Sequence, residues 1–367
     1  MKTLCVVTDS LDAGGAQKML SFAINSISEC VDQIIVILER NQISYPLASN
    51  IKVIEMRHFN NDNTTTNNIF NKISRLFHYS VTAKKIIKEY QPCMVLAFGC
   101  YYSTMAYLAT RGLKTKLIVS ERRSPQMLST LWKIISKYVY NNSDAIVFQL
   151  EEARKVYKNI KSNKCFIIPN PYISNLSIEP IEAKNRKKII AMAAARLEYE
   201  KGFDVGIEAF KIFQKKHPEF IMNVYGKGDY STIYSECLIG ARNVYFKGLS
   251  HDIVNDIKDV SVFLLPSRNE GIPNMLMEAL GAGIPCVAAD CSPGGPKLLI
   301  GDDERGILVP VESVNQTALS LEKIVMNHEL SNKLSKNAQN IKYLFSENEI
   351  KKKWQDCIKF VGDGCES

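Results

Sequence analysis

Short apolar runs rich in β-branched residues alternate with longer helical patterns along most of the chain. In the first half, the strand-like runs cover residues 4–8, 33–38, 51–55, 94–98, 116–120, 145–149 and 165–168. The helical patterns between them cover residues 16–27, 69–89, 104–111 and 128–141. Strands that alternate with helices indicate an α/β fold in which parallel sheets carry helices on both faces.

The second half repeats this alternation. Its strand-like runs cover residues 189–195, 220–225, 243–246, 260–266 and 284–289, and its helical patterns cover residues 206–216, 231–239, 253–258 and 273–283. An amphipathic pattern over residues 347–361 closes the chain. The sequence therefore predicts two Rossmann-like domains, each a doubly wound parallel sheet, which face each other across a cleft where such sheets bind ligands.

The two halves meet at Pro169-Asn170-Pro171. Each proline blocks a helix and holds the preceding residue in extended geometry. A chain of 367 residues is also long for a single core. We therefore predict an N-terminal domain over residues 1–170, a C-terminal domain over residues 171–345, and a last helix within residues 346–367 that packs back on the first domain.

The composition, with 46% hydrophobic and 23% charged residues, is typical of a folded protein. The ten cysteines lack CxxC pairs, so we expect reduced core residues and no disulfide or zinc framework. The N-terminal apolar run is too short for a signal peptide, and no apolar stretch reaches the ~18–20 residues that span a bilayer. We therefore expect a cytoplasmic protein.

The net charge of +8 is unevenly distributed. Residues 1–170 contain 22 Lys and Arg against 12 Asp and Glu, a balance of +10, whereas residues 171–367 contain 24 against 26, a balance of −2. A basic half suits an anionic partner such as a membrane surface, a phosphorylated acceptor or nucleic acid, or it is an ordinary solvated face. Because no nucleic-acid-binding motif accompanies the charge, we expect no nucleic acid partner.

Two glycine-containing loops follow predicted strands. Gly14-Gly15 precedes the first helix, where glycine lets the backbone approach a ligand and the helix start offers N–H groups to a phosphate. Gly226 lies in Tyr225-Gly226-Lys227-Gly228, which could cradle a nucleotide or form a plain turn. Neither loop completes the GxGxxG fingerprint of dinucleotide-binding domains.

A third loop carries two cations after the first strand of the second half. Arg196 and Lys201 suit a diphosphate, because arginine binds phosphate as a fork and lysine as a point charge. A surface ion-pair cluster with Glu198 and Glu200 explains the same residues equally well.

The most specific segment covers residues 266–285, PSRNEGIPNMLMEALGAGIP. Glu270 lies in its loop, and Glu278 lies ~7 Å along the helix that Pro273 begins. Both carboxylates can accept hydrogen bonds from hydroxyls, and the free N–H groups of the helix start can meet a diphosphate. A surface helix with acidic residues is the alternative. The predicted contacts at the helix start are Gly271, Ile272, Pro273, Asn274 and Met275.

Glu270-x7-Glu278 followed by Ala-Leu-Gly-Ala-Gly-Ile-Pro, with Arg196 and Lys201-Gly202 upstream, resembles the GT-B retaining glycosyltransferases of family 4. The resemblance extends from Gly14-Gly15 to residues 306–309 and so covers most of the chain. Residues 120–125 and 290–296 resemble the branch that extends undecaprenyl-diphosphate-linked glycans, including N-acetylgalactosamine transferases.

This resemblance implies a UDP-sugar donor in the C-terminal domain and a polyprenyl-diphosphate-linked glycan acceptor in the N-terminal domain. The product would be a cell-surface polysaccharide such as lipopolysaccharide O-antigen or capsule. N-acetylgalactosamine is the favoured sugar, ahead of galactose, glucose and N-acetylglucosamine. A glucosyl- or galactosyltransferase that acts on a different acceptor is the alternative within the same class.

The resemblance also implies residue roles. Arg196 and Lys201 would neutralise the donor diphosphate and support its departure, Glu278 would bind the ribose hydroxyls, and Glu270 would contact the transferred sugar. Gly15 would lie under the diphosphate from the other domain. Residues 120–123 contain Glu121 and Arg122 where many family members carry a histidine near the transferred sugar.

The family's proposed route is front-face displacement through an oxocarbenium-like state, in which the leaving diphosphate takes the acceptor proton. Fixed cations and helix N-termini would stabilise the charge that grows on the diphosphate. The chain has no Asp-x-Asp. We therefore expect neither a metal ion nor another cofactor.

Two other classes fit parts of the pattern. A nucleotide-sugar epimerase of the same two-domain shape would need histidines near the sugar, and the five histidines lie outside the loops described above. A dehydrogenase or a dinucleotide-binding module would need the missing GxGxxG.

The basic first half has one candidate role. Its lysines within residues 72–88 and 133–158 are interleaved with Phe70, Leu76, Phe77 and Trp132. Such a mixture suits peripheral contact with the cytoplasmic face of an anionic inner membrane, where a lipid-linked acceptor would be presented.

Overall fold

The computed structural model describes residues 2–12, 14–56, 69–122, 124–157, 159–174, 178–229 and 234–363. The chain forms two compact units. The first contains Met1–Pro169 together with Asn348–Ser367, and the second contains Asn170–Glu347.

The first unit is built on a seven-stranded parallel sheet in the order β3-β2-β1-β4-β5-β6-β7. Its strands are β1 (Thr3–Thr8), β2 (Gln33–Leu38), β3 (Ile51–Glu55), β4 (Met94–Phe98), β5 (Lys116–Glu121), β6 (Ala145–Phe148) and β7 (Cys165–Ile167). The inner strands β1, β4 and β6 are buried along their whole length, which explains their nearly continuous apolar sequence.

Five α-helices lie between these strands in the described chain: α1 (Gly15–Ser28), α2 (Ile69–Tyr90), α3 (Gly99–Thr110), α4 (Thr130–Asn141) and α5 (Glu151–Lys155). The last helix of the chain, which we number α14 (Glu347–Gly362), also belongs to the first unit. Helix α3 begins five residues before its predicted start, because Gly99, with φ of 78°, turns the chain directly from β4 into the helix.

The second unit contains a six-stranded parallel sheet in the order β10-β9-β8-β11-β12-β13. Its strands are β8 (Lys187–Arg196), β9 (Ile221–Lys227), β10 (Val244–Gly248), β11 (Val260–Leu265), β12 (Cys286–Ala289) and β13 (Ile307–Val309). Both sheets are thus parallel and Rossmann-like, and the α/β fold predicted from the alternating pattern is confirmed.

The helices of the second unit include several that the sequence did not predict. They are α6 (Phe203–Lys216), α7 (Ser235–Leu238), α8 (Ile253–Ile257), α9 (Asn274–Gly281), α10 (Gly295–Ile300), α11 (Val314–Met326), α12 (His328–Ala338) and α13 (Ile341–Leu344). The predicted helix over residues 231–239 begins in residues that lie outside the described part of the chain, and α7 covers its end. Strand β13 and helices α10 to α13 were missed.

Each unit has its own hydrophobic core. The first core includes the apolar face of α14, although this helix follows the second unit in the chain. The buried residues on this face are Ile350, Trp354, Cys357, Ile358 and Val361. Their spacing of three and four residues matches a helix that buries one stripe, and it explains why the last residues count with the first unit.

Candidate active site

The second sheet reverses its strand order between β8 and β11. Strand β8 ends at Arg196 and β11 ends at Leu265, so residues 197–202 and 266–273 leave neighbouring parallel strands at the same edge. Doubly wound sheets bind ligands at such a switch point, beyond the carboxyl ends of the strands. The two segments that the sequence singles out for the donor therefore lie side by side.

Lys201 and Glu270 form the central contact of this site. The Nζ atom of Lys201 donates to Oε1 of Glu270 at 2.8 Å, and Ser267 Oγ donates to the same oxygen at 3.0 Å. The side chains keep 26% and 13% of their surface exposed, so the pair lies at the surface of the unit and within reach of a ligand. The backbone N–H of Glu270 donates to the carbonyl oxygen of Ser292 at 3.1 Å and so holds the loop to the neighbouring strand end.

Gly202 makes the close approach of the two loops possible. Its φ is 63°, in the left-handed region, and a Cβ atom at this position would lie 2.1 Å from the carbonyl oxygen of Pro266. Only glycine fits a left-handed turn that touches another backbone. Lys201 is thus a cation that directly precedes a turn for which glycine is required.

Arg268 fastens the loops together, and the sequence prediction did not assign it a role. Its guanidinium donates to both carboxylate oxygens of Asp204, at 2.9 and 2.7 Å, and to Glu312 at 2.7 Å. It also lies 3.8 Å from the centroid of the Tyr199 ring. The hydrogen bond to Asp204, followed by the hydrogen bond to Glu312 and the charge of Asp204, raises the pKa of Arg268 above its ordinary value. The charge of Arg268 is therefore neutralised locally, and its role is to shape the site.

Helix α9 points its N-terminus into the site. Pro273 is its N-cap residue, and no described side chain caps the first turn. The N–H groups of the first turn of a helix lack intrahelical acceptors and favour an anion. The loop before α9 is packed tightly, since a Cβ atom at Gly295 would lie 1.5 Å from the carbonyl oxygen of Gly271.

The predicted donor contacts at residues 271–275 lie in the turn before α9 and in its first two residues. Ile272 and Pro273 are buried, whereas Gly271, Asn274 and Met275 keep part of their surface exposed. Glu278 lies four residues into α9, one turn beyond Asn274, and is also partly exposed. The structure thus brings Lys201, Glu270 and the start of α9 into one arrangement.

Arg196 occupies a different environment. Its side chain is 67% exposed, and its Nε atom lies 3.1 Å from Oε1 of Glu198. The structure therefore contains the surface ion pair that the sequence left open as an alternative. An exposed arginine at a strand end can still turn toward a ligand, but here it is less fixed than Lys201.

Gly226 lies in β9, next to the end of β8. A Cβ atom at Gly226 would lie 2.7 Å from Leu197 Cδ2 and 2.9 Å from the carbonyl oxygen of Ala194. The absence of a side chain lets the two strand ends approach closely. Close packing of the strand ends therefore explains why a glycine is at position 226. The predicted nucleotide contact of Gly226 stays a prediction.

In the first unit, the switch point between β1 and β4 is occupied by the start of α1. The Tyr45 hydroxyl accepts from the N–H of Gly14 at 3.1 Å and donates to the carbonyl oxygen of Gly14 at 3.0 Å. Gly15 is the first residue of α1 and partly exposed. The predicted contact residue of this unit therefore stands at the ligand-binding edge of its sheet, in a turn that Tyr45 fixes.

Glu121 and Arg122 are structural in this arrangement. Glu121 is 2% exposed and accepts a hydrogen bond from the Tyr140 hydroxyl at 2.5 Å. Arg122 donates to the carbonyl oxygen of Ile168 at 3.1 Å and lies over the Trp354 ring, and burial lowers its pKa to about 10. These residues hold β5 to neighbouring elements of the first unit, and the structure gives Glu121 no exposed position from which to replace a histidine.

Histidines and metal-binding clusters are absent from this site as far as the described residues reach. His217, for example, packs against Phe213 at 4.7 Å between ring centroids, away from the site loops. No cluster of three or more His, Cys, Asp and Glu residues in the described ranges has the geometry to hold a metal ion. In the same ranges, no helix is long and apolar enough to cross a membrane.

Two family models match the chain. Residues 174–341 match the model described as Glycosyl transferases group 1, and residues 32–141 match the model described as Glycosyltransferase family 28 N-terminal domain. The first match contains every predicted site residue of the second unit. Together the matches assign the chain to the broad class of glycosyltransferases.

One relative aligns over nearly the whole chain. It is an alpha-1,4-N-acetyl-D-galactosaminyltransferase of Campylobacter jejuni, and the acceptor in its name is GalNAc-alpha-(1->4)-GalNAc-alpha-(1->3)-diNAcBac-PP-undecaprenol. The two sequences are 24% identical over 367 residues, which cover 98% of this chain and 99% of the relative.

Solved structures share the fold. Sucrose-phosphate synthase from Thermosynechococcus elongatus superposes with a TM-score of 0.81 at 15% identity, covering 99% of this chain and 100% of the other. HepE of Anabaena, solved with UDP and glucose, superposes with a TM-score of 0.76 at 15% identity, covering 98% and 100%. These likenesses support the GT-B fold.

Proposed function

We propose that this glycosyltransferase transfers a hexose or N-acetylhexosamine, with N-acetylgalactosamine favoured, from a UDP-sugar to a polyprenyl-diphosphate-linked glycan during the synthesis of a cell-surface polysaccharide. The observation that carries the donor site is the contact between Lys201 and Glu270 beside the start of α9. The acceptor class is supported by the Campylobacter relative, whose named acceptor is an undecaprenol-linked glycan and whose alignment covers nearly the whole chain.

The donor diphosphate would lie between Lys201 and the first turn of α9. A cation and free helix N–H groups both favour phosphate oxygens. Glu270 accepts a hydrogen bond from the Lys201 ammonium group at 2.8 Å. When the donor binds, the diphosphate would share Lys201, and the Glu270 carboxylate would accept a hydroxyl of the transferred sugar.

The remaining proposed contacts surround this centre. Glu278 would accept the ribose hydroxyls, and Arg196 would leave its exposed pair with Glu198 to meet the diphosphate. Gly226 would approach the nucleotide, and Gly15 would approach the diphosphate from the first unit. Ion pairs at the surface contribute little free energy, so Arg196 can exchange partners at low cost.

The proposed chemistry is substitution with retention of configuration. The bond from the anomeric carbon to the diphosphate breaks as the acceptor oxygen forms the new bond on the same face, and the leaving diphosphate takes the acceptor proton. Lys201 and the α9 N-terminus would stabilise the charge that develops on the diphosphate. We propose that these groups do so without a metal ion.

Two helices of the first unit support peripheral contact with an anionic membrane surface. On α2, Ile73, Phe77 and Val81 are exposed at intervals of four residues. On α4, Leu131, Ile134 and Tyr138 are exposed at intervals of three and four residues. Each helix thus presents an apolar stripe to solvent, and both helices pack on α3.

The charges on α4 suit the same surface. Lys133 and Lys137 are exposed, and the helix carries no acidic residue. Of the aromatic and apolar residues predicted for this contact, Phe77 is exposed, whereas Leu76 and Trp132 are half-buried. The side chain of Phe70 lies outside the described residues. An apolar stripe flanked by lysines is the pattern of a helix that rests in the plane of an anionic bilayer.

Vesicle flotation tests the membrane contact. We expect the protein to float with vesicles that contain anionic lipid at low salt and to lose binding in the double variant Phe77→Ser/Ile134→Ser. Tyr343→Ser, at a 79% exposed position of the second unit, serves as the matched control and should float like the wild type. Absence of the wild type from the floating fraction at low salt would remove this part of the proposal.

A donor and acceptor screen tests the activity. Purified protein would be incubated with each of several UDP-sugars and a synthetic polyprenyl-diphosphate glycan, and released UDP would be measured with and without EDTA. We expect UDP release that requires the acceptor, is greatest with UDP-N-acetylgalactosamine and is unchanged by EDTA. UDP release without acceptor would indicate hydrolysis of the UDP-sugar, and no release with any UDP-sugar would contradict the proposal.

A further inference from the structure

The chain enters the second unit along helix α9. We call residues 170–172 the entry segment. Asn170 is only 4% exposed, and its Nδ2 atom donates to Oδ1 of Asn274, the first residue of α9, at 2.8 Å. The backbone N–H of Tyr172 donates to the carbonyl oxygen of Phe345 at 2.8 Å, shortly before the chain leaves the unit after Glu347.

The Tyr172 ring occupies the space that a side chain would take at the other end of α9. A Cβ atom at Gly281 would lie 2.0 Å from Cε2 and 2.4 Å from Cζ of this ring. The φ of Gly281 lies outside the left-handed region, so its backbone does not require glycine. The ring of Tyr172 is therefore the reason that a helical residue lacks a side chain here.

Both contacts fall on the helix face that carries Glu278. Asn274, Glu278 and Gly281 follow one another at intervals of four and three residues, which places them on one face of α9. Burial raises the pKa of Tyr172, and the Glu278 carboxylate raises it further, as expected for two groups that lie close together. The entry segment thus covers both ends of the face from which Glu278 projects.

We propose that Asn170 and Tyr172 are positioning residues that hold α9 in the orientation in which Asn274 and Glu278 can meet a nucleotide sugar. Helix α9 has eight residues, and so short a helix has little stability or fixed direction of its own. Its orientation comes from its neighbours, and a displacement of about 1 Å in a site can weaken catalysis markedly. This inference rests on the proposed donor site.

Gly281→Ala tests the ring contact, because helix propensity alone predicts no harm from alanine whereas the clash with Tyr172 predicts a weakened site. Alanine is a better helix former than glycine, so a helix free of the ring would tolerate alanine at its last position. We expect instead that the KM for the UDP-sugar rises about tenfold, because the new methyl group displaces the ring and α9 moves. Adding Tyr172→Ala removes the clash, and the KM of the double variant should fall below that of Gly281→Ala.

Asn170→Ala tests the contact at the start of α9. We expect the KM for the UDP-sugar to rise several-fold, with a smaller change in kcat. Gln339→Ala is the matched control, because Gln339 Nε2 donates at 2.7 Å to the carbonyl oxygen of Ile178, further along the same incoming chain and outside α9. This control should keep the wild-type KM.

Thermal unfolding of the same variants separates positioning from general stability. A lowered melting temperature with an unchanged KM in both Gly281→Ala and Asn170→Ala would overturn the inference, as would a KM change of equal size in Gln339→Ala. If the wild type neither binds nor releases UDP, both the proposed function and this inference are wrong. If the wild type is active and the variants match it, only the inference fails.

Discussion

At the scale of single residues, the site is shaped by groups whose roles come from contacts between distant parts of the chain. Lys201 is held by Glu270, 69 residues away, and Arg268 bridges Asp204 and Glu312. The sequence identified Lys201 and Glu270 because they belong to a recognisable pattern. It could not assign Arg268 or Asn170, because hydrogen-bond partners across loops leave no periodic signal in the sequence.

Gly202→Ala tests the close approach of the two site loops. A left-handed alanine costs about 1–2 kcal/mol, and its Cβ atom would in addition meet the carbonyl oxygen of Pro266. We expect a destabilisation well beyond this strain, measured by urea unfolding, and weaker UDP binding, measured by calorimetry. Gly248→Ala is the matched control, since Gly248 has φ of 75° and no heavy atom within 4 Å of an added Cβ atom. Equal effects in the two variants would contradict the contact.

Tyr140→Phe tests the buried contact with Glu121. Burial and the Glu121 carboxylate raise the pKa of Tyr140 well above its usual value. Because the folded-state pKa exceeds the unfolded value of about 10, this group stabilises the fold fully below pH ~10 and loses that contribution as the pH rises.

We expect Tyr140→Phe to lower the free energy of unfolding by about 1–3 kcal/mol at pH 8, because the Glu121 carboxyl group loses a buried partner. Between pH 9.5 and 11, the variant should lose stability less steeply than the wild type. Urea unfolding over this pH range measures both effects. Tyr343→Phe, at an exposed position, should behave like the wild type, and an identical pH slope in Tyr140→Phe would contradict the assignment.

At the scale of elements, the periodic pattern predicted most strands and the long helices to within a few residues. Elements with a simple period and a buried stripe, such as α1, α2 and α14, were predicted best. The region after β12 was missed because its helices α10 to α13 are short or carry mixed patterns, and because β13 has only three residues. Their burial depends on partners that the local sequence does not reveal.

The basic cluster at residues 184–188 is a second case in which burial depends on partners that the local sequence does not reveal. A run of basic residues is usually exposed to solvent, yet Arg186 is 8% exposed and joins three elements. Its guanidinium donates to the carbonyl oxygens of Val260 and Gly283, at 3.0 and 2.8 Å, and to Ser335 Oγ at 2.8 Å. Burial lowers its pKa to about 10. Arg186 therefore ties β11, the loop after α9 and α12 together.

Arg186→Ala should lower the free energy of unfolding by about 3 kcal/mol or more, because several buried acceptors lose a charged donor at once. Lys184→Ala is the matched control from the same basic cluster, since Lys184 is 68% exposed and pairs only with the exposed Glu182 in the described residues. Urea unfolding at neutral pH measures both variants. A loss below about 1 kcal/mol in Arg186→Ala would contradict its bridging role.

At the scale of the whole molecule, the chain forms two doubly wound units, and each carries predicted ligand contacts at the switch point of its sheet. Helix α14 returns to the core of the first unit, so this unit is completed only by the end of the chain. The family matches and the Campylobacter relative agree with a glycosyltransferase along nearly the full length. The identity of the sugar and the acceptor stays a prediction, because these depend on contacts that no periodic pattern records.

Acceptor-dependent UDP release by Glu270→Ala, measured beside Glu304→Ala, tests whether Glu270 belongs to the donor site. Glu304 is an exposed carboxylate paired with its neighbour Arg305, and it serves as the matched control. We predict that Glu270→Ala lowers kcat/KM for the UDP-sugar by about 100-fold or more, while Glu304→Ala keeps wild-type activity. Near-normal turnover by a folded Glu270→Ala protein would contradict the assignment of the donor site to Lys201, Glu270 and the start of α9.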